Sequence, residues 1–151
     1  IKVLFVCLGN ICRSPMAESV FRNKVNELRR AKEFEIESAG TASYHIGEWP
    51  DHRTIKTLKN HGITNYSKAR QVNSKDLSYF NYVLVMDHNN LADMMLLKDE
   101  SSTAQVDLFR KFDSNPGDLI VPDPYYGGNE EFENVYDLVN RCSIGFLKSL
   151  K

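Results

Sequence analysis

Short apolar runs alternate with segments whose apolar residues recur at helical spacing along most of the chain. Two of these runs, Lys2–Val6 and Tyr82–Met86, are continuous, which is typical of strands in a parallel sheet that is covered on both faces. Phe34–Ser38 alternates and predicts a more exposed strand, and a short strand is predicted near Gln105–Phe109. Strands that alternate with helices in this way predict an α/β fold with a largely parallel sheet.

Helical periodicity fills the intervals between the predicted strands. A first helix is predicted after Ser14, because Pro15 suits the first helical position. Further helices are predicted over about Asp51–Asn60 and Asn89–Leu97, with a helical turn near Ser74–Leu77. The predicted apolar face of the first helix comprises Ala17, Val20, Phe21, Val25 and Leu28. The last helix carries the clearest stripe, which comprises Phe132, Val135, Tyr136, Val139, Cys142, Phe146 and Leu150.

Composition indicates which partners and which cellular compartment we expect for this protein. The 151 residues predict one domain, 1–151, and the 42% hydrophobic and 26% charged residues are ordinary for a globular protein. A net charge of −1 argues against nucleic acid or an anionic membrane as the main partner. No apolar run approaches the ~20 residues of a membrane span. Three cysteines without disulfide-framework spacing favour the reducing cytoplasm. No metal-ligand cluster is found among them and the four scattered histidines, to which no chemistry is assigned.

Cys7 and Arg13 are separated by five residues in the segment that joins the first strand to the first helix. A loop at this place turns its N–H groups toward a common centre at the positive end of the helix dipole, which creates an anion site. Such surroundings favour a cysteine thiolate, and an arginine can bind two oxygens of a tetrahedral oxyanion at once. Gly9 and Asn10 tolerate the left-handed backbone that a tight anion loop requires.

The spacing therefore predicts a cysteine nucleophile that attacks phosphorus. A cysteine at the end of a buried strand is more commonly a small core residue, and this spacing also arises by chance. The strand before the loop and the Ser14-Pro15 helix start after it favour the catalytic interpretation.

Further polar residues are predicted at the same edge of the sheet. Ligands of open α/β sheets bind beyond the carboxyl ends of the strands. Cys7, Ser38 and Asp87 each fall at such an end. We therefore expect Ser38 and Asp87 to support the phosphate loop from this edge.

Asp123 is the candidate general acid. A phenoxide leaves poorly at neutral pH, so cleavage of an aryl phosphate requires a proton donor for the leaving oxygen. Asp123 lies between Pro122 and Pro124, which restrict its backbone to extended conformations. An ordinary Asp-Pro turn is the alternative, and the presence of Cys7 in the same chain favours the acid.

Several segments together resemble the low-molecular-weight protein tyrosine phosphatases. The resemblance covers nearly the whole chain in the same order and is carried by Cys7–Pro15, Lys68–Gln71, Met86-Asp87, Asp123–Gly127 and Phe132–Tyr136. It implies a three-layer fold with a four-stranded, twisted parallel sheet flanked by helices, of the flavodoxin-like or Rossmann-like kind. It also implies an enzyme without metal or cofactor that hydrolyses tyrosine-phosphorylated proteins or peptides and small aryl phosphates.

The resemblance assigns a role to each residue of the predicted site. Cys7 attacks phosphorus to form a phosphocysteine, and Asp123 protonates the departing phenol and then acts as base toward water. Arg13 and the loop amides bind phosphate and similar oxyanions. Ser14 donates a hydrogen bond to the sulfur, and Asn10 stiffens the loop together with Ser38.

Position 67 departs from the better-known members of that family. They carry a histidine just before the Lys-Ala-Arg-Gln segment, where this chain has Ser67. A hydroxyl is shorter than an imidazole, so we expect a water molecule to complete the polar network that supports the loop.

Substrate choice is predicted from the walls of the pocket. The apolar slot, long enough for a phenyl ring, is predicted to be lined by Leu8, Tyr44, Tyr125 and Tyr126. The phosphate is predicted to contact Gly9, Asn10, Ile11, Cys12 and Ser14. Related arginine phosphatases carry threonine at the position of Ile11, so an aliphatic residue there favours an aryl phosphate. Phosphorylation of Tyr125 or Tyr126 is left open.

Cys12 has two interpretations. In relatives with two loop cysteines, a disulfide between the equivalents of Cys7 and Cys12 protects the oxidised enzyme from irreversible oxidation. The alternative is that Cys12 packs beneath the loop. Cys142 lies on the apolar stripe of the last helix and is predicted to be a core residue.

Other functions share parts of this pattern. A thiol-coupled arsenate reductase needs further cysteines near the middle of the chain, and residues 75–100 contain none. A non-catalytic phosphotyrosine-binding module would lack the nucleophile or the acid, and a phosphocysteine carrier would have little need for Asp123. Small phosphates such as flavin mononucleotide remain open as substrates.

Overall fold

The computed structural model describes residues 1–150, and four strands within that range form one parallel sheet. The strands are β1 (Lys2–Cys7), β2 (Glu35–Gly40), β3 (Tyr82–Val85) and β4 (Gln105–Leu108). They lie in the order β2-β1-β3-β4 and every neighbouring pair is parallel. The helices are α1 (Arg13–Glu27), α2 (His52–Asn60), α3 (Asp76–Tyr79), α4 (His88–Leu97) and α5 (Asn129–Ser149). The predicted α/β fold with its parallel sheet is confirmed.

Alternate residues of β1 belong to two different cores. Val3 and Phe5 are fully buried in the core that contains α1 and α5, whereas Leu4 and Val6 are fully buried in the core on the other face, below α3 and α4. This arrangement explains the continuous apolar run of β1, because neither of its faces meets water. Within the described range, no helix is both long and apolar enough to cross a bilayer.

Two boundaries differ from the sequence prediction, the end of β2 and the end of α1. β2 continues to Gly40, because Ala39 and Gly40 pair with the last residues of β1. A Cβ atom at Gly40 would lie 2.8 Å from the carbonyl oxygen of Leu8, so only glycine allows this approach. The assignment of Leu28 to the apolar face of α1 is wrong: its side chain is 56% exposed. α1 ends at Glu27, and the chain turns away through Arg29, whose φ is 57°.

The order of the strands determines where a ligand can bind. The chain runs from β1 through α1 to β2 on one side, and then crosses to β3 on the other side of β1. The carboxyl end of β1 therefore lies at the switch point of the sheet, where open α/β folds bind their ligands. Cys7 is the last residue of β1.

Candidate active site

The segment between β1 and α1 forms a loop whose backbone donors are free. Asn10 has a φ of 58°, in the left-handed region, as predicted. Among the described residues, no backbone N–H group of residues 8–12 donates to a protein acceptor. Buried N–H groups are almost always paired, and the loop leads directly into the N-terminus of α1. Free donors at a helix N-terminus form an anion site.

Cys7 lies on the floor of this loop with its sulfur 3.0 Å from the Ser14 hydroxyl. The direction of that hydrogen bond follows from Asn10. The backbone N–H of Arg70 can only donate, and it donates to Asn10 Oδ1 at 3.0 Å. Asn10 Nδ2 consequently donates to the hydroxyls of Ser14, at 2.8 Å, and Ser38, at 2.9 Å. Ser14 thus accepts from Asn10, and its own proton is shared between the sulfur of Cys7 at 3.0 Å and the carbonyl of Ala39, which is farther from a good hydrogen-bond distance at 3.4 Å.

Glu18 on α1 completes this chain of hydrogen bonds from below, and the sequence interpretation missed it. Its carboxylate accepts from Ser38, from Ser67 at 3.0 Å and from Arg22 at 2.6 Å. Because Ser38 donates to Glu18, it must accept from Asn10. The expectation that Ser67 needs a water molecule is wrong, since its hydroxyl reaches the carboxylate directly. Glu18 is buried, with 2% of the residue exposed. Arg22 supplies the positive charge that balances its carboxylate.

Arg13 is buried beside the nucleophile and is held by polar partners. Its NH1 group donates to Asp87 at 2.6 Å and to the carbonyl of Val121 at 3.0 Å. Burial lowers the pKa of Arg13, but the negative groups Cys7 and Asp87 outweigh it and raise the pKa above its ordinary value. The guanidinium is therefore a permanent cation next to the sulfur. Asp87 has the supporting position that its place after β3 predicted.

Asp123 lines the same pocket as Cys7, next to Arg13. Its Oδ2 atom lies 3.6 Å from Arg13 NH2, and its Oδ1 atom accepts from the backbone N–H of Tyr125 at 3.1 Å. The side chain is 45% exposed to solvent. The sulfur of Cys7, the guanidinium of Arg13 and the carboxyl group of Asp123 therefore meet at one place.

The pocket above Cys7 has a volume of about 250 Å³. Its lining contains the predicted wall and loop residues together with one that was not predicted: Cys7, Leu8, Gly9, Ile11, Cys12, Arg13, Tyr44, His45, Asp123, Tyr125 and Tyr126. Asn10 and Ser14 lie beneath the loop instead, among the buried polar residues. No group of three or more His, Cys, Asp or Glu residues within 1–150 is placed to hold a metal ion.

His45 is the unpredicted wall residue. A Cβ atom at Gly9 would lie 3.1 Å from the His45 ring, so glycine permits the close approach of ring and loop. The Nδ1 atom of His45 lies 3.1 Å from Glu48. Sequence spacing does not reveal this position of His45 in the pocket wall.

Cys12 is buried and lines the same pocket as Cys7. Burial, followed by the negative charges of Asp51 and Cys7, raises its pKa to about 12. Cys142 is fully buried in the core beside α1, as its apolar stripe predicted.

A phosphate loop with a cysteine floor, a buried arginine and an adjacent carboxyl group defines a cysteine-dependent phosphatase. The sequence profile described as "Low molecular weight phosphotyrosine protein phosphatase" matches residues 2–151. A relative with that same name in Schizosaccharomyces pombe is 45% identical over 151 residues, which are 99% of this chain and 97% of the relative. The chain belongs to the low-molecular-weight phosphotyrosine protein phosphatase family.

Solved structures of similar shape agree with this family. A protein tyrosine phosphatase from Entamoeba histolytica, with Hepes in its active site, has a TM-score of 0.94 and 35% identity, with 99% of this chain and 96% of that chain covered. A Drosophila arginine phosphatase has a TM-score of 0.94 and 32% identity, with 100% and 98% covered.

Proposed function

We propose that this chain hydrolyses phosphotyrosine in proteins or peptides by two successive displacements at phosphorus. One observation carries the proposal: the sulfur of Cys7, the free N–H groups of its loop, the Arg13 guanidinium and the Asp123 carboxyl group share one pocket.

The first step transfers the phosphoryl group to Cys7. The sulfur attacks phosphorus, so that an S–P bond forms while the bond to the phenol oxygen breaks. Asp123 gives its proton to that oxygen as it leaves, and a positioned acid of this kind contributes about 10²–10⁴-fold. Arg13 and the loop N–H groups stabilise the charge on the three equatorial oxygens.

The second step releases phosphate. Asp123, now a carboxylate, takes a proton from a water molecule that attacks phosphorus, and the S–P bond breaks. The sulfur leaves as a thiolate, and the Ser14 hydroxyl at 3.0 Å donates to it. The oriented chain from Glu18 through Ser38 and Asn10 keeps that hydroxyl directed at the sulfur in both steps.

An aryl phosphate fits the pocket better than an alkyl phosphate. The side chains of Leu8, Tyr44 and Tyr125 are 42%, 72% and 39% exposed and border the opening. They offer apolar surface on which a phenyl ring can pack. The similar Drosophila structure makes phosphoarginine the second candidate substrate. Ile11, an aliphatic residue in the lining, favours phosphotyrosine over phosphoarginine.

Cys12 adds a proposed protective reaction. Hydrogen peroxide oxidises the Cys7 thiolate to a sulfenic acid, and the Cys12 sulfur then attacks it. A Cys7–Cys12 disulfide forms, and water leaves with the proton of Cys12. The proposal implies a reducing compartment such as the cytoplasm, because catalysis requires the free thiol of Cys7.

Metal-free assays test the proposed function. With EDTA present, we expect hydrolysis of p-nitrophenyl phosphate and of a phosphotyrosine peptide, and much slower release of phosphate from a phosphoarginine peptide. Cys7→Ser should abolish hydrolysis while vanadate still binds, and Cys142→Ala serves as the matched cysteine control. Hydrolysis by Cys7→Ser, or a preference for phosphoarginine, would contradict the proposal.

A further inference from the structure

Arg53 in the first turn of α2 binds the loop that carries Asp123. Its NH1 group donates to the carbonyl of Gly127 at 2.8 Å, and its NH2 group donates to the carbonyl of Tyr125 at 2.9 Å. The centre of the guanidinium lies 4.5 Å from the centre of the Phe132 ring, at the start of α5. Arg53 therefore fixes the chain immediately after the candidate acid.

Hydrogen bonds connect the loop that Arg53 binds to the side chain of Asp123. The N–H of Gly127 donates to the carbonyl of Pro124 at 2.8 Å and closes a turn. The N–H of Tyr125 in that turn donates to the carboxylate of Asp123. Because both carbonyls that Arg53 binds belong to this turn, holding them holds the carboxylate as well.

Asp51 fixes the guanidinium from the other side. Its two oxygens accept from Nε and NH2 of Arg53, each at 3.0 Å, and its Oδ1 atom also accepts from the Arg53 backbone at 2.8 Å. Burial raises the pKa of Asp51, but these hydrogen bonds outweigh it and the net pKa is lowered. The pair stays ionised, and its fork geometry is available only to arginine.

The start of α2 is also attached to the phosphate loop. The backbone N–H of Asp51 donates to the carbonyl of Ile11 at 2.9 Å, and the hydroxyl of Thr54 donates to the same carbonyl at 3.2 Å. The phosphate loop and the acid loop, more than a hundred residues apart in sequence, therefore meet at one short segment of α2.

We propose that the Asp51–Arg53 pair is a spacer that sets the distance between the Cys7 sulfur and the Asp123 carboxyl group. Arg53 is a positioning residue, because its contacts are to carbonyl groups outside the reacting atoms. This inference rests on the proposed role of Asp123 as general acid. A proton donor is effective only within hydrogen-bonding reach of the leaving oxygen, so a loosened spacer weakens the acid and leaves phosphate binding intact.

Arg53→Lys tests the spacer, since lysine keeps the charge and loses the fork. We expect kcat/KM for an aryl phosphate with a weakly acidic phenol to fall by about 10- to 100-fold, the range for a misplaced catalytic group. For dinitrophenyl phosphate, whose phenol leaves without much help, the fall should stay below about threefold. Inhibition by inorganic phosphate should be unchanged. Arg30→Lys is the control, because Arg30 forms an exposed pair with Glu33.

A double-mutant cycle with Asp123→Ala decides whether Arg53 acts through the acid. In the Asp123→Ala background, Arg53→Lys should cause no further loss. An equal loss in both backgrounds, a uniform loss over all phenols, or weakened phosphate binding would overturn the proposal. Should Arg53→Lys fold poorly, Arg53→Gln is measured in the same cycle. A wrong assignment of Asp123 as the acid would give a different result. The loss of kcat/KM in the Asp123→Ala protein would then be the same for good and for poor leaving groups.

Discussion

Replacing Glu18 by glutamine tests the buried chain of hydrogen bonds beneath Cys7. The Glu18 carboxylate accepts from Ser38, Ser67 and Arg22, and each of these groups arrives as a donor. A glutamine presents an NH2 group in place of one oxygen, so in either orientation a donor faces a donor. If Ser38 turns to accept from that NH2 group as well as from Asn10, its own proton loses the acceptor that Glu18 provides.

The expected loss of stability follows from leaving a buried donor without an acceptor. That change destabilises a protein by about 1–3 kcal/mol. For a chain of this length each kcal/mol lowers the Tm by about 2–4 °C, so the expected decrease is about 2–12 °C. Because the chain orients the Ser14 hydroxyl toward the sulfur, we also expect kcat to fall about fivefold, the equivalent of about 1 kcal/mol.

Thermal unfolding and steady-state kinetics of Glu18→Gln measure both effects. Glu27→Gln is the matched control, because Glu27 lies exposed at the end of the same helix and accepts from Asn23 at 3.3 Å. A Glu18→Gln protein with unchanged Tm and unchanged kcat would refute the oriented chain. A lower Tm with unchanged kcat would refute its connection to catalysis.

Three further predictions concern packing, oxidation and acid stability. A Cβ atom at Gly145 would lie 1.8 Å from the carbonyl oxygen of Phe112, so Gly145→Ala should lower the free energy of unfolding by about 3 kcal/mol, measured by urea denaturation; an unchanged midpoint would contradict this contact. Cys12→Ser should remove the dithiothreitol-reversible part of peroxide inactivation, and because burial raises the pKa of Cys12 to about 12, disulfide formation in the wild type should accelerate as pH rises toward that value. Equal recovery of both proteins, or a pH-independent rate, would contradict the protective role. Burial raises the pKa of Asp113, but hydrogen bonds from Arg141 and from a backbone N–H outweigh burial, and the net pKa is lowered. The stability that Asp113 contributes is therefore present above its unfolded pKa and is lost as the pH falls. Asp113→Asn should flatten the acid side of the plot of stability against pH, and an unchanged slope would contradict this role of Asp113.

The strands and the chemistry of the loop were predictable because they depend on neighbouring residues. β1 and β3 are buried on both faces and consequently have uninterrupted apolar runs. Cys7, Arg13 and Asn10 lie within one loop, so their spacing alone describes the anion site. The flanking prolines drew attention to Asp123, and the presence of Cys7 in the same chain favoured a place for it at the site, where it lines the pocket.

The parts that sequence missed depend on contacts between distant segments. Glu18 has the appearance of an ordinary surface charge on a helix, and its partners Ser38 and Ser67 lie 20 and 49 residues away. Arg53 donates to carbonyl groups 72 and 74 residues away. Because every residue has a backbone carbonyl, the sequence does not show which of them accept a hydrogen bond. His45 lies so close to Gly9 that a Cβ atom there would be 3.1 Å from its ring.

The proposed covalent intermediate on Cys7 is expected to accumulate in the Asp123→Ala protein. With an aryl phosphate whose phenol leaves easily, the sulfur is still phosphorylated, whereas hydrolysis of the S–P bond lacks its base. Rapid acid quenching during turnover, followed by peptide mass spectrometry, should then find the phosphoryl group on Cys7. Phosphate release without any phosphorylated Cys7, or a phosphoryl group on another side chain, would contradict the two-step reaction.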